Sequence, residues 1–438
     1  MGISGLIFIM VGLHDPKIGI YMNSLPNVLF INHSVRDGGP GRSLYYLLRF
    51  LDRTKLRPYV LIPKDDVFSE WLRGASIYEN VIVEPRFPEN LKKPRFGTPD
   101  DRGRSGRPSS YLDKLLNFLS VSLNVLDIGS LVVTSPGLVR KHGIGVIYCN
   151  GTQAKIAGAL MGLVSGRPVI WHVRNIQQTR LLGFLINNLA RLRAVKKIIC
   201  VSGPTADQFR YAREKLTVIH NGIDIGDYDP RTTTGEIRSA YGLAEDTVIV
   251  GSTGRIVPRK GYELFIEAAG IALGELGEKG RGVKFVIVGD TPYYFGEDHL
   301  SKLKSMAAEK GLGDSFIFTG FRDDVRPCLR DFDIFVIPSS YPDPFPRSVI
   351  EAMSFELPVA GFRAGGIVES VADGVTGILS EPGNVRRMAD AIVRLVTDKA
   401  LRESMGKAGR ERVRERFSAQ AVAADIQKVI LGVSGGGQ

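Results

Sequence analysis

The chain has 438 residues, 44% of them apolar and 24% charged, with 50 glycines and 23 prolines that follow no repeat period. This composition excludes a disordered, collagen-like or low-complexity chain and suffices for two or three domains. The 57 Lys and Arg against 46 Asp and Glu leave a net charge of +11, which suits an anionic partner without choosing among nucleotide, nucleic acid and lipid headgroup.

Three cysteines, Cys149, Cys200 and Cys328, are too scattered for a disulfide framework or a thiolate metal site, which points to a reducing compartment. No uninterrupted apolar run approaches the roughly 20 residues of a membrane-spanning helix. Ile3–Leu13 reads ISGLIFIMVGL, but no Lys or Arg precedes it and no small-residue cleavage pattern follows. Residues 1–21 are therefore expected to form an upstream extension or a loose amphipathic anchor, with Met22 just ahead of the first convincing strand.

From Asn27 onward, short Val/Ile-rich runs alternate with helical patterns. The runs 28–32, 59–62, 81–83, 145–149, 169–173 and 197–201 read as strands buried on both faces of a parallel sheet. Helical patterns over Ser43–Leu51, Gln153–Val164 and Gln178–Leu192 fall between them. Asp224–Asp246, rich in Asp, Gly, Pro and Thr, reads as an interdomain linker. The rhythm then restarts with strands at 247–252, 283–289, 315–319, 333–338 and 357–361, and helices at Tyr262–Leu273, His299–Lys310 and Arg347–Phe355. A charged helix, Ala400–Phe417, and an apolar one, Ala419–Leu431, close the chain. The expected architecture is α/β, with two Rossmann-like doubly wound domains facing across a cleft, and with chemistry on the loops after the strands. Pro85–Ser110, dense in Pro, Gly and charge, reads as a long solvated loop inserted in the first domain.

Three segments carry chemical signals. In Tyr341–Glu369, Asp343 sits in the turn after a buried strand and Glu351 in the helix that follows, with Pro346 suited to the first helical position. Phe345, Arg347 and Ser348 would then offer unpaired backbone N–H groups to an anion. In 251–261, Gly251 and Gly254 permit close backbone approach, and Arg255 and Lys260 place two cations over one strand end. The Gly-x4-Gly-Lys-Ser/Thr order of a Walker loop is absent. In 37–48, Gly38 and Gly39 open a helix just after the first strand, where a diphosphate or an acceptor could approach the backbone. Asp331-Phe332-Asp333 looks like a metal-binding Asp-x-Asp, but other ligands are lacking; Asp331 is read as solvent-facing and Asp333 as a strand-start residue.

Together with Trp171-His172-Val173-Arg174, Val218–Asp224, Phe318–Phe321 and Gly365–Glu369, these segments resemble glycosyltransferase family 4, the retaining GT-B enzymes that use nucleotide sugars. The resemblance runs from residue 27 to about 430, with the motifs in the family's order. It implies that Arg255 and Lys260 hold the donor diphosphate, and that Asp343, first acid of the Glu-x7-Glu motif, meets the transferred sugar. Glu351 would take the ribose, and backbone donors around Phe345, Arg347 and Ser348 would support sugar or phosphate. Gly254 would let the donor approach, Gly38 and Gly39 would line the facing wall, and His172 would stand near the reacting sugar. The sequence departs from the family pattern in carrying Asp343 where Glu is usual and Pro346 where Gly is common, which removes one N–H donor.

The implied organisation is an extension (1–26), an acceptor-side domain (27–225), a nucleotide-sugar domain (226–415) and a C-terminal helix (416–438) that could pack back on the first domain. The implied activity is hexosyl transfer, with retention, from a nucleoside-diphosphate sugar to a glycan or lipid-linked hydroxyl acceptor in glycolipid or cell-surface polysaccharide synthesis. No cofactor and no essential metal is expected. Arg180, Arg191, Arg193, Lys196 and Lys197 would suit an anionic membrane surface, hence a cytoplasmic enzyme that could sit at the inner face of the plasma membrane. No nucleic-acid partner is expected, because the basic residues lack an aromatic stacking platform. A GT-B nucleotide-sugar epimerase and a non-catalytic nucleotide-sugar-binding subunit are the alternatives.

Overall fold

The computed structural model describes residues 25–33, 39–88, 111–177, 179–292 and 298–435. The expectations for residues 1–24, for Gly38, for most of the charged insertion (89–110) and for Gln178 lie outside the described residues.

Among the described residues, thirteen strands form two sheets in which every strand pairing is parallel. The first comprises β1 (Asn27–Asn32), β2 (Arg57–Ile62), β3 (Val81–Val83), β4 (Ile144–Asn150), β5 (Val169–Val173), β6 (Val195–Cys200) and β7 (Leu216–Val218), in the order β3-β2-β1-β4-β5-β6-β7. The second comprises β8 (Val248–Thr253), β9 (Val283–Val288), β10 (Phe316–Gly320), β11 (Ile334–Ile337), β12 (Val359–Phe362) and β13 (Gly377–Ser380), in the order β10-β9-β8-β11-β12-β13. Both sheets are doubly wound. In each, the strand order reverses beside the first strand, between β1 and β4 and between β8 and β11. Such a switch point opens a crevice at the carboxyl ends of the strands.

The alternation along β1 shows why its sequence is a continuous apolar run. Val28 and Phe30 face one core with Leu44, Leu47 and Ile426, while Leu29 and Ile31 face another with Leu131, Ala157 and Ile186. The helices Gly39–Phe50 and Ala419–Gly435 cover the former face; Tyr111–Lys141, Thr152–Ser165 and Arg180–Ala190 supply the latter. The terminal helix thus packs on the first sheet, and Gln427 exchanges two hydrogen bonds with the backbone of Asp52, at 2.9 and 3.0 Å.

The sequence contains no unbroken apolar run of spanning length, yet the 23-residue segment Leu119–Lys141 within the helix Tyr111–Lys141 contains an 18-residue window with a mean hydropathy of 1.3. By length and composition it could cross a bilayer. Ser, Thr, Gly and Asn interrupt its apolar residues without lowering the mean far, so the expectation drawn from uninterrupted runs is corrected. Here Leu131 and Val139 bury against the first sheet.

The chain passes between the domains twice, and the two passages lie side by side. Ile223 N–H donates to Phe417 O at 2.9 Å, and Ala419 N–H donates to Ile223 O at 2.8 Å. Residues 224–246 form a packed strap, with Tyr228 and Ile237 buried and with Asp224 and Asp227 held by Arg49 at 3.1 and 2.9 Å.

Candidate active site

The second sheet's switch point carries the two loops singled out in the sequence. After β8, Gly254 N–H donates to Val288 O at 2.9 Å, and a Cβ on Gly289 would stand 1.9 Å from Gly254 O. Only glycine lets these strand ends approach so closely. Arg255 follows, exposed. The turn Pro258–Lys260 then ends at Gly261, whose φ of +70° suits glycine and whose Cβ would fall 2.2 Å from Pro338 O. That contact presses the loop after β8 against the loop after β11. As a result Lys260 Nζ lies 2.6 Å from Asp343 Oδ2, with both side chains under one-fifth exposed.

Asp343 is positioned from behind by the glycine pair. Gly366 N–H donates to Asp343 O at 2.7 Å, and Cβ atoms on Gly365 and Gly366 would stand 2.3 Å from Asp343 O and 2.1 Å from Pro344 O. Pro346 is the N-cap of the helix Arg347–Ser354, one residue earlier than the sequence suggests, and no side chain caps this end. The first N–H groups of the helix, those of Arg347 and Ser348, therefore keep their capacity to bind an anion.

Arg347 turns inward instead of toward solvent. Its guanidinium meets Glu351 at 3.2 Å, donates to Gly222 O at 2.9 Å and to Ser43 Oγ at 3.3 Å, and stands over the Tyr46 ring. Gly39 closes this contact from the first domain, since its Cβ would be 3.6 Å from Arg347 Cδ. Arg347 thus ties the two domains together, and it holds Glu351 buried. The Phe345 ring packs between His220 and Phe417, at centroid distances of 4.8 and 5.3 Å, and its carbonyl accepts from Asn221 Nδ2. Phe345 therefore contributes packing.

His172 belongs to a buried network at the end of β5 that reaches Phe345 through Arg174 and Asn221. Its Nδ1 meets the Tyr148 hydroxyl and accepts from Arg174 Nη2 at 3.2 Å. Burial, with the Arg174 charge adding, lowers its pKa well below the ordinary value, so the ring is neutral. Because Arg174 can only donate, Nδ1 is the acceptor and the proton sits on Nε2. Arg174 itself is half-buried; it donates to Asn150 Oδ1 at 2.7 Å and to Asn221 Oδ1 at 2.5 Å, and desolvation pulls its pKa down to about 10. Asn150 in turn donates to Pro40 O at 3.1 Å, which anchors the start of the helix Gly39–Phe50.

The structure therefore brings together Lys260 with Asp343, and Gly39 with Arg347 and Glu351, while His172 joins this domain contact only indirectly, through Arg174 and Asn221. Arg174, Asn221 and Glu369 gain roles that spacing does not disclose. Glu369 accepts from Gly203 N–H at 2.8 Å and pairs with His220 Nε2 at 2.7 Å, joining the domains beside the double passage. Asp331 is half-buried, contrary to the expectation of a solvent-facing residue, because its Oδ2 accepts from Arg238 N–H at 3.0 Å. Asp333 accepts from Ile249 N–H at 2.9 Å and ties β11 to β8. Among the described residues no three His, Cys, Asp or Glu side chains gather as metal ligands.

Known proteins match both halves. The family described as "Glycosyltransferase Family 4" matches residues 37–227, and "Glycosyl transferases group 1" matches residues 233–412. An alpha-D-kanosaminyltransferase of Streptomyces kanamyceticus is 34% identical over 183 residues, 41% of this chain. That stretch takes in only 44% of the relative's own length. The capsular polysaccharide biosynthesis glycosyltransferase CapM of Staphylococcus aureus is 26% identical across 67% of this chain and 78% of its own. Anabaena HepE, solved in complex with UDP and glucose, superposes with a TM-score of 0.72 at 25% identity, covering 92% of this chain and 98% of its own. With both domains matched in order, the chain belongs to the group 1, family 4 glycosyltransferases of GT-B fold.

Proposed function

We propose that the chain moves a hexose-type sugar from a nucleoside diphosphate sugar to a hydroxyl acceptor with retention of anomeric configuration, the acceptor being a lipid-linked or cell-surface glycan. The observation that carries this reading is the Lys260–Asp343 pair at the switch point, beside an uncapped helix N-terminus. The cation there suits a diphosphate and the acid suits sugar hydroxyls. The UDP and glucose bound by HepE, and the capsular polysaccharide role in the name of CapM, support the choice of donor and acceptor classes.

In this reading Lys260 exchanges Asp343 for the diphosphate, and Arg255 adds a second positive charge; these side chains, not a metal ion, stabilise the leaving group as its charge grows. The freed Asp343 takes sugar hydroxyls, and Glu351 takes the ribose. The acceptor oxygen bonds to the anomeric carbon from the face the phosphate leaves. The carbon–phosphate-oxygen bond breaks, and the acceptor's proton passes to the departing phosphate oxygen. Neutral His172 serves as a hydrogen-bond donor through Nε2 and not as the base. Closure of the domains around Arg347 keeps water from competing.

Incubation with a panel of nucleotide sugars and hydroxyl acceptors, followed by NMR of the product, tests the proposal. A glycoside with the donor's anomeric configuration is expected. An inverted glycoside, an epimerised donor or no product across the panel contradicts it.

A further inference from the structure

The helix Arg180–Ala190 presents two apolar sides. Ile186 and Ala190 face the core of the first domain, while Leu181, Phe184 and Leu185 form an outward row. Leu181 is 77% exposed and Phe184 70%. Asn187 of this helix bonds the backbone of Gln208 and Arg210 at 2.9 and 3.1 Å, and Tyr211, which follows Arg210, is 68% exposed. The neighbouring helix Thr152–Ser165 exposes Leu163 and Val164, and beyond it the helix Tyr111–Lys141 exposes Leu126 and Val133. One covered face of the first sheet therefore carries large apolar side chains on its outer side, more than scattered surface residues account for.

The charge pattern of this region is one-sided. From Ile128 to Ala206 the chain contains no Asp or Glu, against ten Lys and Arg of which Lys155 is buried; Asp127 beside Leu126, and Asp207 and Glu214 on either side of Tyr211, stand at the margins of the face. Arg180, Arg191, Arg193 and Lys196 are exposed at the two ends of the outward row, and Arg167 is exposed at the end of the neighbouring helix. A second copy of the chain would bring two positive faces together, and self-association through this face is disfavoured on that ground. A nucleic acid would satisfy the charge but leave the aliphatic row of Leu181 and Leu185 against a hydrated backbone. An interface with an apolar interior and a negative rim satisfies both.

We propose that the outer side of these helices, led by Arg180–Ala190, docks the protein on an anionic lipid bilayer, with Leu181, Phe184 and Leu185 entering the acyl boundary and the flanking arginines at the headgroups. The helix begins where the loop after β5 ends, and that loop is pinned at the cleft by Thr152 and Asn175. Docking therefore sets the edge of the cleft at the membrane surface. A lipid-linked acceptor would enter there; that consequence rests on the glycosyl-transfer reading, whereas docking itself does not.

The test is co-sedimentation of the full-length protein with phosphatidylcholine vesicles and with vesicles containing phosphatidylglycerol, at low and high salt. Binding to the anionic vesicles at low salt is expected to exceed binding to neutral ones at least about tenfold and to fall with salt. Leu181→Asp/Phe184→Asp and, separately, Arg191→Glu/Arg193→Glu are expected to lose most of it, with unchanged far-UV circular dichroism and melting. These side chains are exposed, so folding and vesicle binding are read apart. No binding to anionic vesicles overturns the proposal. So does undiminished binding by the Leu181→Asp/Phe184→Asp variant, retention on duplex DNA but not on vesicles, or a concentration-dependent dimer that this variant disperses.

Discussion

Lys260 and Asp343, 83 positions apart in the chain, form an ion pair of 2.6 Å that bridges the loops after β8 and β11. The cation proposed for the diphosphate and the acid proposed for the sugar satisfy each other. Donor binding must therefore compete with an internal partner. Asp343→Asn keeps the shape and releases Lys260. This variant is expected to bind a nucleoside diphosphate at least as tightly as the parent while losing transfer about a hundredfold or more. Lys260→Ala is expected to lose both. Calorimetric titration with the diphosphate, alongside product formation, separates the two; a fully active Asp343→Asn enzyme contradicts the assignment.

Arg347 and Glu351 are each at most 9% exposed, and their ion pair stands at the contact between the domains. Removing one partner of a buried pair leaves an uncompensated charge, at a cost of about 3 kcal/mol. Glu351→Ala is expected to show that loss in denaturant unfolding and also to weaken nucleotide binding. The double variant Arg347→Met/Glu351→Leu is expected to recover most of the stability but not the binding. Recovery of both would remove Glu351 from the ribose site.

The parts of the fold legible in the sequence are those whose burial imposes a pattern. Strands such as 28–32 and 283–289 are covered on both sides and so read as largely apolar runs, broken in the latter only by Lys284. The edge strands β7 and β13 escape this reading because Thr217 interrupts the first and Gly377 and Ser380 bound the second, whereas the equally short β3 shows as Val-Ile-Val. The helix Tyr111–Lys141 is hidden by its internal Pro136 and by the polar stretch before it. In the site, glycines and charged residues at strand ends mark the two loops, but no spacing reveals that Lys260 meets Asp343, because the winding of the sheet makes that meeting. Arg174 is visible in the sequence only as the end of the stretch Trp171–Arg174, and packing alone shows it bonded to Asn150 and Asn221. Arg347 likewise reads as part of a donor loop, whereas the structure uses it to join the domains.

Lys155 lies fully buried on the helix Thr152–Ser165 with its amine unbonded, and burial lowers its pKa to about 8. The folded protein releases this proton near pH 8, while the unfolded chain holds it until about 10.5. Below pH 8 both states are charged and the folded state bears the full cost of burial, about 3 kcal/mol. Between those values the unfolded state binds more protons, so stability gains as pH rises. Lys155→Met is expected to be more stable than the parent by about that amount at pH 7, with the advantage shrinking toward pH 10.5. Urea unfolding at several pH values measures it, and a constant difference would contradict the buried neutral amine.

Glu369 holds Gly203 of the first domain and His220 of the passage between domains. Glu369→Ala removes two hydrogen bonds, each contributing about 1–2 kcal/mol, and loosens the domains. Small-angle scattering is expected to show a larger radius of gyration without loss of helical content, and turnover is expected to fall about tenfold through impaired closure. An unchanged radius with normal turnover would leave Glu369 a surface contact.

A crystal structure with bound nucleoside diphosphate bears most directly on the proposed chemistry. The outer phosphate is expected within hydrogen-bonding reach of Lys260 Nζ and beside Arg255, with Asp343 released and the ribose hydroxyls on Glu351. A diphosphate seated elsewhere, with Lys260 still paired to Asp343, would contradict the proposed donor site.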